Sequence, residues 1–145
     1  MIKLKKEHID EIIRHAATEY PYEGCGILIG RFEAGKSKTV EYILPIANAR
    51  EAQARRNRFL ITPAEIRRGE IFAHKNKMAV LGFYHSHPDH PAIPSNYDLE
   101  QAWPFYSYVI VSVAKGKPEN FASWELENDR SKFNSEAIIA IIKGD

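Results

Sequence analysis

Cysteine is nearly absent from this chain. One thiol, Cys25, in 145 residues excludes an internal disulfide and any cysteine-rich zinc cluster, and it fits a reduced compartment. Long apolar runs are missing too: pieces such as "CGILIG" and "AIIAII" fall far below a membrane span. Charge of one sign is not in excess. Lysine and arginine total 20 against 19 acidic residues, a net +1, which does not point to nucleic acid as a partner. The opening "MIKLKKEHIDEII" carries charges through what would be the apolar part of a signal peptide, so a cytoplasmic protein is expected. What remains, 44% apolar and 27% charged residues, is the composition of a folded chain. Its length suits one domain over residues 1–145.

Leu4, Ile9, Ile12, Ile13 and Ala16 recur at helical spacing and predict an amphipathic helix over 4–19. "PYEG" ends it. "CGILIGRFE" and "KTVEYILPI" then read as a strand hairpin, followed by a polar, basic loop, "ANAREAQARRNR". "FLITPAEIRRGEIFAHKNK" predicts a short strand and then a helix, with Thr62 as N-cap and Pro63 at the first helical position. "MAVLGFYHSH" is apolar on both alternations until its histidines, the pattern of a central buried strand. The stretch Pro88 to Pro94 is a loop, "NYDLEQAW" a short helix, and "YSYVIVSVA" and "NFASWELEN" two further strands. "SEAIIAIIK" fits a strand or a helix equally. The expected class is α+β, a mixed sheet flanked by helices.

His8, His15 and His74 stand alone and read as surface or hydrogen-bonded residues. His85 and His87 differ. They sit two apart where a buried strand ends, so the pleat sends both imidazoles to one face. "HSHPDH" also matches the letters of the metallo-β-lactamase signature. That fold needs further histidines downstream and a longer chain, and no histidine follows His90. The alternative set is His85, His87 and Asp98: two imidazoles and a carboxylate, which leave a zinc ion an open fourth position. Ser95-x-x-Asp98 is at the same time nearly a capping box, compatible with ligation if only one serine or carboxylate oxygen serves the cap. A metal hydrolase also needs a base. Glu23, at the junction of a helix and a buried strand, is the candidate to take a proton from water and return it to a leaving amine.

His85-Ser86-His87, seven residues, then Ser95-Asn96-Tyr97-Asp98, with Glu23 upstream, resembles the JAMM (MPN+) metalloprotease motif at every fixed position. "PYEGCGILIG", "FLITPAE", "GFYHSHP", "YSYVIVSV" and "FASWEL" resemble the surrounding segments, so the likeness runs from Leu4 to Leu126. The resemblance implies the layered, cytidine-deaminase-like MPN architecture. It implies one zinc per chain on His85, His87 and Asp98, Glu23 as general acid/base, and Ser95 donating to the oxyanion. It implies peptidase or isopeptidase activity at the C-terminus of a ubiquitin-like protein. The compact size resembles small bacterial members that trim a sulfur-carrier protein to its Gly-Gly end. A zinc hydrolase of small peptides or amides and a non-catalytic MPN scaffold are the competing functions.

Smaller expectations attach to other residues. Cys25 opens an apolar strand and reads as packing rather than as a nucleophile. Asp89 and His90 read as exposed loop polarity beside the site. Arg55, Arg56 and Arg58 form a basic cluster that reads as solvated surface or as contact with an acidic partner. Trp103, Tyr106 and Tyr108 read as core and rim.

Overall fold

The computed structural model describes residues 1–142; the expected domain, 1–145, and Lys143 of "SEAIIAIIK" extend into residues outside that range. Eight strands form one mixed sheet: β1 (Ile2–Lys5), β2 (Cys25–Glu33), β3 (Ser37–Ile46), β4 (Ala79–Pro88), β5 (Ser107–Ala114), β6 (Lys117–Leu126), β7 (Phe133–Glu136) and β8 (Ile138–Ile141). Among the described residues three α-helices accompany them: α1 (Lys6–Glu19), α2 (Pro63–Lys75) and α3 (Asn96–Gln101). The spatial order is β7-β6-β5-β4-β2-β3-β1-β8. β4 lies in the middle, antiparallel to β2 and parallel to β5.

Side chains alternate across the sheet and build two cores. Cys25, Ile27 and Ile29 of β2 face α2 and join Ile61, Ala73, Val80 and Phe83. Leu28 of β2 faces α1 and joins Ile12, Ala16, Leu81, Tyr84, Val109 and Val111. The result is a helix–sheet–helix sandwich with both faces of β4 covered, which explains that strand's unbroken apolar run. The neighbouring strand β2 needs a glycine opposite one of the β4 rings. Gly26 pairs with Tyr84 across β2 and β4, and a Cβ there would sit 2.1 Å from the Tyr84 ring. The ring fills that space and its hydroxyl meets His15 Nδ1 at 2.7 Å.

Several elements depart from the sequence expectation. Residues 2–5 are a strand, so the helix expected from Leu4 starts at Lys6. Ile2 and Leu4 are fully buried, and β1 pairs in parallel with β3 and with β8. Leu4 satisfies the helical stripe by spacing alone; its long-range pairing outweighs it. The strand expected at "FLIT" does not form. The segment leads without a strand ladder into α2, which Thr62 caps by accepting from Glu65 N as expected. The undecided C-terminal stretch is extended. β7 and β8 lie on opposite edges of the sheet yet are separated by Ala137 alone. The sheet therefore curls until its edges approach, and Ile2 N donates to Ala137 O there at 2.9 Å. Buried Lys38 of β3 closes the same end, reaching Ser107 Oγ at 2.6 Å, Glu125 at 3.2 Å and Glu136 at 3.8 Å. No described helix is long and apolar enough to cross a membrane.

Candidate active site

At the end of β4 the pleat turns His85 and His87 to the same face, the one that carries Phe83 and α2. Asp98 comes to them from the first turn of α3. His85 Nε2 and His87 Nε2 are 3.1 Å apart, and Asp98 Oδ2 lies 3.2 Å from the first and 3.0 Å from the second. All three residues are buried. Four-coordinate zinc with bonds of about 2.0–2.1 Å places neighbouring donors roughly 3.3 Å apart, so this triangle has the dimensions of one face of such a site.

Hydrogen bonding supports the fit. His87 Nδ1 lies 2.8 Å from Pro91 O, which only accepts, so Nδ1 carries the proton and Nε2 presents its lone pair inward. In the neutral ring that lone pair faces the Asp98 carboxylate at 3.0 Å with no proton between them. A cation at the centre removes the conflict. Burial lowers the pKa of His85 against the opposing pull of Asp98, which favours the neutral, ligating imidazole. Its ring stacks on Phe59 with centroids 4.4 Å apart. Burial of Asp98 disfavours its charge; positive charge on His85 and His87, when those rings are protonated, and the Ser95 N–H overcome that and hold the group well below the usual carboxylate range. A cation at the centre would take over the part of the protonated rings.

The capping box is complete. Ser95 Oγ accepts from Asp98 N at 3.1 Å, and Ser95 N donates to Asp98 Oδ2 at 2.9 Å. Cap and histidine cluster share the single oxygen Oδ2, rather than dividing the carboxylate between them. Its two lone pairs can serve both directions. Ser95 uses its oxygen as acceptor and keeps its own proton free to donate, on an exposed side chain beside the triad.

Glu23 sits on the other side. Cys25 pairs with His85, and Ser86, between the two histidines, clasps the preceding residue twice: its Oγ accepts from Gly24 N at 2.8 Å and its N donates to Gly24 O at 3.0 Å. Glu23 is 4% exposed and its Oε1 has no hydrogen-bond partner. Burial, with Asp98 adding to it, pushes its pKa up to about 9. A divalent cation nearby would reverse that tendency by favouring the carboxylate.

Residues outside the expected ligand and base set complete the site, Phe59 and Asn48 among them without any sequence signal. Phe59 supports His85, and Tyr97 is covered by the Arg58 guanidinium 5.0 Å from its ring centroid. Asn48 binds the backbone of Glu23. The arginine-rich loop is therefore part of the wall around the candidate base: Glu23 N donates to Arg55 O at 2.6 Å. Asp89 is tied down by Tyr20 Oη and Lys115 N, His90 is exposed, and Cys25 is wholly buried. His15 bonds Tyr84, His74 is exposed, and His8 is buried with Nδ1 unpartnered, unlike the surface or bonded role expected of it. Beyond His85 and Asp98 an apolar pocket of about 690 Å³ opens, with Phe59, Trp103, Phe105, Tyr106 and Phe133 among its walls.

Known proteins carry the same frame. A family model described as prokaryotic homologs of the JAB domain matches residues 5–127. A desampylase of Haloferax volcanii is 36% identical over 117 residues, 77% of this chain and 80% of that one. A probable TtuB-protein conjugate cleaving protease of Thermus thermophilus is 30% identical over 102 residues, 70% of this chain and 64% of that one. The crystal structure of a JAB1/MPN domain protein from Archaeoglobus fulgidus superposes with a TM-score of 0.57 at 18% identity, covering 97% of each chain, which shows the shared fold. With a family model matched over residues 5–127 and a shared fold, this chain belongs to the prokaryotic homologs of the JAB domain, the JAMM-type family that its motif resembles.

Proposed function

We propose that this protein, as one JAMM-type domain over residues 1–145, is a cytoplasmic zinc peptidase or isopeptidase. Its substrate is the peptide bond at the C-terminal Gly-Gly tail of a ubiquitin-like protein, of the sulfur-carrier kind. The observation that carries the reading is the convergence of three inward-facing ligand atoms beside a buried, unpartnered glutamate. The names of the two relatives, a desampylase and a conjugate-cleaving protease, support this substrate class.

His85, His87 and Asp98 would hold one zinc ion. When bound, zinc supplies Lewis acidity for the scissile carbonyl and makes water a nucleophile near neutral pH. Glu23 takes the proton from the attacking water and returns it to the leaving nitrogen. Its burial keeps the proton within the site instead of releasing it to solvent. Ser95 donates a hydrogen bond from its hydroxyl to the carbonyl oxygen as negative charge grows there. With His85 and His87 held as ligands, Glu23 is left as the group that moves a proton.

The test combines metal content with cleavage. Wild type and Glu23→Gln are purified, their zinc is measured, and each is incubated with a sulfur carrier extended past its Gly-Gly end. Mass spectrometry follows loss of the extension. One zinc in both proteins and cleavage after Gly-Gly by the wild type, with a loss of about 10²- to 10⁴-fold in the variant, is the expected result. Zinc without cleavage would sink the substrate; absence of zinc from both would leave an MPN scaffold.

A further inference from the structure

We infer that Asn48 is a positioning residue for Glu23: its side-chain amide fastens the basic loop and the candidate catalytic base into one unit. This rests on the reading of Glu23 as general acid/base given above.

The Asn48 amide makes four hydrogen bonds, all to backbone. Nδ2 donates to Glu23 O and to Arg58 O, each at 3.0 Å. Oδ1 accepts from Arg50 N at 3.0 Å and from Leu60 N at 3.1 Å. Two carbonyls against Nδ2 and two N–H groups against Oδ1 define the orientation of the amide without ambiguity. The half-buried side chain thus spans the loop from Arg50 to Leu60 and joins it to the residue that carries the base. A second bond runs the other way, Glu23 N to Arg55 O at 2.6 Å, so both backbone groups of Glu23 are held by this loop.

That fixation matters because the Glu23 carboxylate has no anchor of its own. Its Oε1 is unpartnered, so the position of its oxygens is inherited from the backbone. The loop also braces the metal side, with Phe59 stacked on His85 and Phe59 O accepting from Tyr97 Oη at 3.2 Å, next to Asp98. Asn48 therefore fixes the base relative to the ligand triad. A displacement of about 1 Å between such groups costs on the order of 10²-fold in rate.

The experiment uses the full chain loaded with zinc and the carrier extended past Gly-Gly. Asn48→Ala removes all four bonds. Asn48→Asp keeps acceptors for Arg50 N and Leu60 N but loses both donors, including the one to Glu23 O. Both variants are expected to retain one zinc and to lose roughly 10- to 100-fold in kcat with KM within about threefold. On a Glu23→Gln background, followed in single turnover with excess enzyme, Asn48→Ala is expected to cost nothing further. Recovery of kcat by Asn48→Asp, additive losses in the double variant, or loss of zinc would each overturn the inference. Amide hydrogen exchange reads it without activity: Asn48→Ala should speed exchange at Glu23 and leave β4 unchanged. Unaltered exchange at Glu23 overturns the inference whatever the rates. An inactive wild type with that exchange response preserved would instead fault the function proposed above.

Discussion

The two walls of the candidate site are built by different means. The ligand wall is short-range: a strand end and the first turn of a helix, eleven residues apart between His87 and Asp98, tied by a capping box and by the His87–Pro91 bond. The base wall is long-range. Glu23 is held by Asn48 and Arg55, and its neighbour Gly24 by Ser86, 62 residues away. Every bond on that side goes to backbone, so residue identity matters little except at the donor or acceptor itself. The contrast teaches where each wall is vulnerable. On the proposed roles, removing a ligand would destroy chemistry at the residue itself, while the base would be displaced by changes in residues that never touch substrate.

The ligand wall yields the largest effect. His87→Ala leaves Asp98 and His85 unable to enclose an ion and should reduce cleavage below detection, a loss of at least about 10³-fold. A chelator should do the same to the wild type, with zinc restoring it. Zinc should also stabilise the wild type, by about 2.7 kcal/mol at a free concentration roughly one hundred times Kd, and leave His87→Ala unaffected. Thermal unfolding with and without zinc, beside a cleavage assay, checks both. Equal zinc stabilisation of the two proteins would break the comparison, because the ion would then be held elsewhere.

Ser95 belongs to the ligand wall by its cap and, in the proposed mechanism, to the chemistry by its free hydroxyl donor. Ser95→Ala should lower kcat about 10²- to 10³-fold and destabilise the domain by about 1 kcal/mol through loss of the cap. Ser95→Asp separates the two roles: aspartate caps well but has no proton to give. Stability restored with kcat still low is the expected outcome. Recovery of both would reduce Ser95 to a helix cap.

The same contrast governs what was legible in the chain. His85 and His87 announce themselves because a two-residue period and an apolar run place them together, and Asp98 because its capping spacing puts it in a first turn. Glu23 is visible as a carboxylate at the junction of a helix and a buried strand, and only the histidine pair makes that position point to a base. Asn48 is not visible. Its one local signature, the turn with Arg50 N, is common to loop asparagines, and its bonds to Glu23 and Arg58 depend on how the loop folds back. Nor is Leu4 legible as strand, since its spacing fits the stripe of Ile12 and Ala16, and only pairing with β8 decides otherwise. The one-residue passage from β7 to β8 is hidden for the same reason: edge closure is a property of the whole sheet.

The smallest expected effect falls between the walls, at Cys25. It lies within two residues of Glu23 and directly across from His85, which makes it the natural rival nucleophile by position. Its surroundings argue against that. The side chain is fully buried with Sγ 3.6 Å from Ile46 O. Burial, with Glu23 and Glu19 adding to it, pushes the thiol up to about 12, so it stays protonated at any pH at which the protein would work. Nucleophilic thiols need the opposite environment. Cys25→Ala should therefore keep kcat within about threefold while costing on the order of 1 kcal/mol for the lost packing. Iodoacetamide at pH 8 should leave the native protein unmodified, as read by intact mass, and label it once unfolded. Rapid native labelling coupled to loss of activity would move the chemistry off the metal ligands and onto the strand between the walls.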